Sequence, residues 1–351
     1  MSFKILNMAS IFMKNIKYSL LCLIIFSNTS FGKDFKELFT IYEPVEDAKQ
    51  IEKSVNESFN TMVYRLSGSS SPSNIWKIIN AGNARKDFIS SYSVENKDDT
   101  SYLKVNFDKD LLIDKFIELK IPIVGNSRPV ILFIIKVETG ASDPYFVSPF
   151  VTENTLDTLI KNSLKNFSDQ RGVFMELPDL DLQDRLSLLN YEKLIDSKNF
   201  ISSKYESDKV ITIDLTKIGL TSWSVGGDIN FQYDDISFND HFITAFNSIV
   251  DANVDSLLQK SLIDISKVGY LEIKIKNIFT LNDYENSKSL IKNLVGSNEL
   301  SLESFDLNTI TYKLKIYGSY KSIEKQLSDS SFFEILNTSF NEDYLHLAYI
   351  K

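Results

Sequence analysis

The chain alternates between apolar repeats of helical spacing and short apolar runs typical of strands. Residues 51–66 carry apolar side chains three and four positions apart, which predicts a helix with one buried face. The run Val130–Ile135 is apolar at every position, and such a run predicts a strand covered on both faces. Residues 270–276 instead alternate apolar and polar side chains, which predicts a strand with one face in water. Because helices and strands interleave along the chain, the expected fold class is α+β or α/β.

The order of these elements predicts three small α/β domains in series, at residues 33–140, 141–265 and 266–351. The first and the last have the order β-α-β-β-α-β, which is typical of a split βαβ or ferredoxin-like unit. In the first domain, the run Val130–Ile135 is expected to be the closing strand. The middle domain is expected to be an open α/β sandwich.

Residues 1–32 have the organisation of a secretory signal peptide. Lys14 and Lys17 precede an apolar run, Tyr18–Phe26, and a small polar stretch follows that run. The run is well below the roughly 20 apolar residues that a membrane-spanning helix needs. We therefore predict cleavage after Gly32, a periplasmic location and a mature chain without a transmembrane anchor.

The composition argues against several classes of function. Cys22 is the only cysteine and lies inside the apolar run, so the mature chain is expected to lack disulfides, a thiol nucleophile and thiolate metal ligands. Apolar residues on both sides of Cys22 argue against lipid attachment. The net charge of −9, from 38 basic and 47 acidic residues, argues against nucleic acid or anionic lipid as a partner, because both bind basic surfaces.

The densest group of polar residues follows the strand predicted at residues 173–177. Asp179, Asp181 and Asp184 lie there beside Arg185. Three aspartates can hold a hard cation through oxygen ligands, and a pair of carboxylates could serve a hydrolase. The spacing lacks the glycine and the terminal glutamate of an EF-hand loop. The alternative is a structural turn, in which Asp184 caps a short helix and an aspartate pairs with Arg185.

Arginine is scarce, since only five of the 38 basic residues are arginines, so each position carries information. Arg128 stands just before the apolar run at Val130, where an arginine usually satisfies a carboxylate or helix carbonyl groups. A cleft that joined Arg128, the acidic turn and Trp223 would instead favour a site for a small molecule or a cation.

The sequence contains no recognisable catalytic or nucleotide-binding motif. Its two histidines, His241 and His346, lie in different predicted domains, at the start of a helix and in the final strand. A general base needs a partner and a cleft, and the residues around these histidines indicate neither. The sequence therefore predicts no cofactor, no metal site and no catalytic residue.

Several segments resemble one known family. They are Leu103–Asp108, Ile121–Pro122, Arg128–Leu132, the run Arg171–Asp184 with its Leu-Pro-x-x-Asp-x-x-Asp pattern, and Trp223. Together they resemble the domain-of-unknown-function family numbered twenty sixty-six, which consists of uncharacterised exported proteins of Gram-negative bacteria. Family members often carry tryptophans around the Arg-Pro segment, where this chain has Val124 and Phe133. The resemblance implies a cell-envelope setting and no defined activity.

These observations together favour a soluble periplasmic accessory or scaffold protein that acts by protein-protein contact through exposed sheet edges and loops. Its expected partner is an envelope protein. Two alternatives remain open: a binder of a small molecule or cation that uses the turn Asp179–Asp184, and a hydrolase that uses a carboxylate pair there.

Overall fold

Interleaved helices and strands make up the computed structural model, which describes residues 32–45, 51–97, 100–190, 196–234, 236–338 and 344–350. The predicted α/β class is thereby confirmed. Nearly all of the predicted signal peptide, residues 1–32, lies outside the described residues. Residues 32–351 belong to one compact unit, so the predicted boundaries at residues 140 and 265 stay predictions.

The N-terminal region contains a three-stranded antiparallel sheet and three helices that share one core. Its elements are β1 (Lys33–Asp34), β2 (Thr40–Pro44), α1 (Ile51–Ser67), α2 (Ser73–Asn80), a 3-10 turn (Arg85–Phe88), β3 (Ile89–Lys97), β4 (Thr100–Phe107), α3 (Lys109–Glu118), β5 (Ile123–Val124) and β6 (Ser127–Arg128). The sheet has the order β2-β4-β3. Val55, Phe59 and Met62 of α1 are buried in a core with Leu103 and Val105 of β4, as the helical spacing predicts.

The middle region is built around a six-stranded sheet. Its elements are β7 (Val130–Glu138), β8 (Tyr145–Phe146), α4 (Thr155–Arg171), β9 (Phe174–Glu176), α5 (Leu182–Asn190), α6 (Ser197–Ser202), β10 (Lys209–Lys217), β11 (Ser222–Gly227), β12 (Phe231–Asp234), α7 (Phe238–Lys260) and β13 (Leu262–Ile263). The strand order is β12-β11-β10-β7-β8, and β9 also pairs with β7.

The sheet membership of β7 differs from the expectation. We expected β7 to close the N-terminal sheet, but it runs parallel to β10 and β9 in the middle sheet. The reason is burial. Phe133 and Ile135 pack into the core under α4 and α7, whereas Leu132 and Ile134 on the opposite face contact Leu180, Leu188 and Ile201. A strand that is apolar on both faces needs cover on both faces, and the middle region supplies it.

The C-terminal region is a split βαβ unit with one added strand. Its elements are β14 (Val268–Lys276), α8 (Leu281–Lys292), β15 (Ser297–Asp306), β16 (Thr309–Tyr317), α9 (Tyr320–Ser328), β17 (Phe333–Thr338) and β18 (Tyr344–Tyr349). The strand order is β15-β16-β14-β18-β17, in which β18 is parallel to β14. Alternate residues of β14, Leu271, Ile273 and Ile275, are fully buried, in agreement with the predicted alternation.

Two short strand pairs lie outside the three larger sheets. At the N-terminal end β1 pairs with β6, so that Lys33 lies opposite Arg128. The strand β5 pairs with β13, so that Val124 lies opposite Leu262. The segments that enter and leave the middle region are therefore hydrogen-bonded to each other. Among the described helices, none is both long and apolar enough to cross a membrane.

Candidate functional site

Arg128 lies at the junction of the N-terminal and middle regions and is fully buried, at 0% exposure. Its Nη1 donates to the carbonyl oxygen of Arg65 at 2.9 Å, and its Nη2 donates to that of Val124 at 3.2 Å. Arg65 is in the last turn of α1, where carbonyl groups lack helical partners. Arg128 therefore satisfies helix and loop carbonyls in the interior, which is a structural position.

Two further arginines, Arg65 and Arg171, lie at this junction, and sequence reasoning assigned neither of them a role. Arg65 donates through Nη1 to the carbonyl oxygens of Leu38 at 3.1 Å and Thr40 at 2.7 Å, which anchors the chain before β2. Arg171, at the end of α4, pairs with Asp251 at 2.8 Å and also with Asp255 on α7. The scarcity of arginine was the signal that could have identified both.

Burial governs the electrostatics of this arginine group. It lowers the pKa of Arg65 to about 10, although nearby Asp169, Glu43 and Glu37 oppose this shift. Burial also lowers the pKa of Arg128 well below its usual value, and the charges of Arg65 and Arg171 lower it further. The group is therefore an internal cluster of cations at the junction, held by hydrogen bonds to backbone carbonyls and by ion pairs with two aspartates.

The acidic turn is used by the fold as a helix start. Asp181 Oδ1 accepts the backbone N–H of Asp184 at 2.7 Å, so Asp181 caps α5 and the expected cap, Asp184, lies in the first turn of the helix. The carboxylate of Asp184 forms an ion pair with Lys204. The Tyr205 hydroxyl contacts both the N–H and the carbonyl oxygen of Asp179, at 2.6 and 3.0 Å. The carboxylates of Asp181 and Asp184 thus have different partners, and the contacts of Asp179 with Tyr205 are through its backbone.

Arg185 and Trp223 are also far from forming one site. Arg185 donates through Nε to the carbonyl oxygen of Leu180 at 2.9 Å, so it closes the turn. Trp223 is on β11 and stacks on Phe238 of α7, with ring centroids 4.8 Å apart. It packs against the core beneath α4 and α7, on the opposite face of the sheet from Leu180. The structure brings the acidic turn and Arg185 together, but neither Arg128 nor Trp223 joins them.

A cavity does lie beside the acidic turn, between β8 and α5. Its volume is about 120 Å³. Its apolar lining comes from Pro144, Phe146, Val151, Pro178, Leu180 and Leu188, and its polar lining from Lys136, Tyr145, Ser148, Glu153, Arg185 and Ser197. A mostly apolar concavity with a few convergent polar groups is the usual form of a binding site. This cavity is the candidate functional site.

The cavity lies where α5 and α6 stop covering one face of the middle sheet. Leu132 and Ile134 of β7 are buried under α5 and α6, and the next residue on that face, Lys136, lines the cavity. The strand β8 pairs with the end of β7, where Val137 lies opposite Tyr145. The helix α5 then forms the other wall with Arg185 and Leu188.

One wall is held by a buried carboxylate. Asp157, at 0% exposure, accepts the Tyr145 hydroxyl at 3.1 Å and the backbone N–H of Glu153 at 2.8 Å. Burial raises the pKa of Tyr145, and the charge of Asp157 raises it further, so the phenol stays protonated. Tyr145 and Glu153 are thereby fixed in position at the cavity, and Tyr145 is a hydrogen-bonding group, not a nucleophile.

Exposed apolar side chains flank the cavity on two sides. Phe150 is 80% exposed and precedes Val151 in the wall. Leu182 and Leu186, at 74% and 48% exposure, lie on α5 three residues before and one residue after the lining residue Arg185. Scattered exposed leucines are ordinary, but three large apolar groups around one cavity are typical of a contact surface.

The charges at the cavity limit its chemistry. Its described lining holds two cations, Lys136 and Arg185, and one carboxylate, Glu153. A hydrolase with two carboxylates would need a second one in the lining, so this arrangement gives that hypothesis no support. Among the described residues, no group of three His, Cys, Asp or Glu side chains is arranged to hold a metal ion.

Comparisons of the chain with protein-family models, with curated proteins and with solved structures found no match. The resemblance to the family numbered twenty sixty-six therefore stays a prediction that rests on the segments quoted above.

Proposed function

We propose that this chain is an exported accessory protein of the periplasm that binds a partner protein of the cell envelope and has no catalytic role. The observation that carries the proposal is the cavity between β8 and α5 with Phe150, Leu182 and Leu186 exposed around it. Protein interfaces are dominated by a few large side chains that fill pockets at their centre. A partner side chain that enters this cavity would bury the apolar groups around it.

The proposed location rests on the leader pattern at residues 1–32 and on the resemblance to a family of exported proteins. Fractionation of cells that express the chain tests it. We expect the protein in the periplasmic fraction, with Lys33 as its first residue. Recovery of the uncleaved chain from the cytoplasm would contradict the proposal.

Partner binding is tested by a double change on α5, Leu182→Glu with Leu186→Glu. Both side chains are exposed, so the fold should tolerate the change, while the apolar surface becomes charged. Tagged chain is used to capture proteins from the envelope of its own organism, and captured proteins are quantified. We expect at least one protein captured by the unchanged chain to be lost with the double variant.

The matched control is Leu220→Glu, because Leu220 is 96% exposed in the turn between β10 and β11. This variant should capture the same partner as the unchanged chain. Equal capture by all three proteins would contradict a role for the cavity surface.

A second candidate function is the binding of a small organic molecule in the cavity. It is favoured by the polar groups of Lys136, Tyr145, Glu153 and Arg185, which converge on one volume of about 120 Å³. Mass spectrometry of the purified chain under native and denaturing conditions separates the candidates. Release of one small molecule, lost when Glu153→Gln is introduced, would favour this function over partner binding.

A further inference from the structure

A second apolar surface lies in the C-terminal region, where α8 begins. Five large apolar side chains are exposed there: Phe279 (67%), Leu281 (76%), Leu302 (52%), Phe305 (58%) and Leu307 (89%). They line a groove of about 970 Å³, which we call the β15 groove. Contiguous apolar surface of this kind is typical of a binding site in a water-exposed protein.

The β15 groove forms where part of the core face of the C-terminal sheet is left uncovered. Leu302 lies opposite Tyr312, and Phe305 lies opposite Ile310. Tyr312 and Ile310 are 1% and 0% exposed, so this face of the sheet is the core face. Leu300 packs on the core, but Leu302 and Phe305 of the same strand stay open. The groove is therefore an uncovered continuation of the core.

Leu307, in the turn at the end of the groove, has a backbone conformation that leucine does not favour. Leu307 lies between β15 and β16 and has a φ of +51°. Asparagine and glycine favour this left-handed conformation in two-residue hairpin turns, and a leucine pays a conformational cost there. A leucine that is both strained and 89% exposed contributes little to the fold, so its position points to an external contact.

The strand β15 also offers a free edge. It is the outermost strand of the sheet, and within the described residues its only neighbour is β16. Its pairing with β16 shifts register between Ser297 and Leu300 and between Leu302 and Ser304, and the second shift places Leu302 and Phe305 on the same face. A free edge presents unpaired backbone N–H and C=O groups, to which an extended segment of another protein can add as a further strand.

The charge of this region indicates which charge the side chains of a partner should carry. The two segments that line the groove, residues 278–284 and 302–308, contain three acidic residues and no lysine or arginine, and one of the three, Asp283, is buried. Glu303 and Asp306 are exposed on β15 itself. A second copy of the chain would place these carboxylates near one another, and an anionic membrane would repel them. A partner with basic side chains is complementary.

We propose that the β15 groove binds an extended segment of a partner protein in which apolar and basic side chains alternate. Side chains of a strand point to opposite faces in turn. One set then enters the groove against Leu302 and Phe305, while the other set meets Glu303 and Asp306. This surface is separate in residues from the cavity between β8 and α5, so it goes beyond the proposed function and can fail independently.

The test uses fluorescently labelled synthetic peptides of about ten residues, the length of a long strand, and fluorescence anisotropy with the purified full chain. The probe alternates valine and lysine. Two comparison peptides alternate valine and glutamate, or hold the valines and lysines in two separate blocks. We expect the alternating lysine peptide to bind at least roughly tenfold more tightly than either comparison peptide. Equal binding of the block peptide would overturn the proposal, because strand pairing requires the alternation.

Substitutions in the chain locate the peptide. Phe305→Ser should weaken binding of the lysine peptide by roughly tenfold or more, because a buried phenylalanine contact is lost. The exposed Leu220, in another turn, supplies the control Leu220→Ser, which should leave binding unchanged. Glu303→Lys together with Asp306→Lys should reverse the preference, so that the glutamate peptide binds more tightly. Failure of that reversal would contradict the charge argument.

Two other occupants are distinguished by measurements on the chain alone. Light scattering would reveal a dimer, and flotation with vesicles of zwitterionic lipid would reveal membrane binding. Either result, if abolished by Phe305→Ser and not by Leu220→Ser, would assign the groove to a second copy or to a membrane and would overturn the proposal.

Discussion

The N-terminal and C-terminal regions begin with the same order of elements and differ in where the last strand goes. Apart from the short β1, the first three strands in both regions have the sheet order 1-3-2, as β2-β4-β3 and as β14-β16-β15. In the C-terminal region β18 returns to pair with β14, which completes the split βαβ sheet. In the N-terminal region the corresponding strand, β7, leaves and becomes the centre of the middle sheet.

This difference indicates that a strand joins the sheet whose helices can bury all of its apolar faces. In β18, Leu345 and Leu347 are buried, while Tyr344 and His346 on the other face are only partly buried. One covered face is enough for such a strand. The run in β7 is buried at every position from Val130 to Ile135, so it requires helices on both sides. Only the middle region offers α4 and α7 on one face and α5 and α6 on the other.

The largest change in stability is expected from a comparison of substitutions at matched positions in β7 and β18. Ile134 of β7 and His346 of β18 both lie on the face that an ordinary split βαβ sheet leaves open. Ile134 is 4% exposed, so Ile134→Ala should lower the free energy of unfolding by about 3 to 4 kcal/mol. His346→Ala should lower it by less than about 1 kcal/mol. Urea unfolding measures both, and similar losses would contradict the role of two-faced burial.

A somewhat smaller loss of stability is expected from substitution of Arg128, which lies just before β7. Arg128→Ala removes the donors to the carbonyl oxygens of Arg65 and Val124, which then stay unpaired in the interior. We expect a loss of about 2 to 3 kcal/mol in the free energy of unfolding. Arg128→Lys should also be destabilising, because lysine lacks the fork that reaches both carbonyls.

The control for this prediction is Arg185→Ala. Arg185 is exposed, so its removal should cost less than about 1 kcal/mol. If Arg128→Ala were as stable as the unchanged chain but failed to capture a partner, Arg128 would be a binding residue and its structural assignment would be wrong.

The smallest effect concerns the contact between the C-terminal region and β6. Asp329 accepts a hydrogen bond from the Ser127 hydroxyl, and burial raises the pKa of Asp329, with a further rise from Asp208 and Asp34. A raised pKa means that the folded chain binds the proton more strongly, so this carboxylate destabilises the fold as pH rises above about 4. Asp329→Asn keeps an acceptor and should raise the melting temperature slightly at pH 7. The gain should shrink as the pH falls toward about 4 and vanish below about pH 3, where Asp329 is protonated in both the folded and the unfolded state.

Asp264 supplies a control of opposite sign. Hydrogen bonds from Ser266 lower the pKa of Asp264, so the ionised carboxylate stabilises the fold above its usual pKa. Asp264→Asn should therefore lower the melting temperature at pH 7, and the difference should shrink as the pH falls through the lowered pKa. A shift of the same sign for both variants would contradict the assigned pKa directions.

Much of the fold could be predicted because helices and strands have different apolar periods. The spacing in α1 and the alternation in β14 are local properties of the sequence. The destination of β7 could not be predicted in the same way. It depends on cover from Phe246 of α7, more than a hundred residues later, with ring centroids 5.7 Å from Phe133. Burial on both faces was correctly inferred, but the sheet that provides it was not.

The candidate site was harder to predict than the fold. The acidic turn does border the cavity, through Pro178, Leu180 and Arg185, but its aspartates serve as a cap and an ion-pair partner. Tyr145 and Glu153 belong to no motif. Their place in the site follows from the pairing of β8 with β7 and from the hydrogen bonds to buried Asp157, which no local pattern encodes.

The central claim, that the chain works by holding a partner at the cavity between β8 and α5, is tested most directly by crosslinking in living cells. A photoreactive amino acid is introduced in place of Phe150, which is 80% exposed beside the cavity, and separately in place of Tyr92, which is 59% exposed on β3. The account predicts one discrete crosslinked species from position 150, weakened by Leu182→Glu with Leu186→Glu, and none of that size from position 92. The absence of a discrete product at position 150, or the same product from both positions, would contradict it.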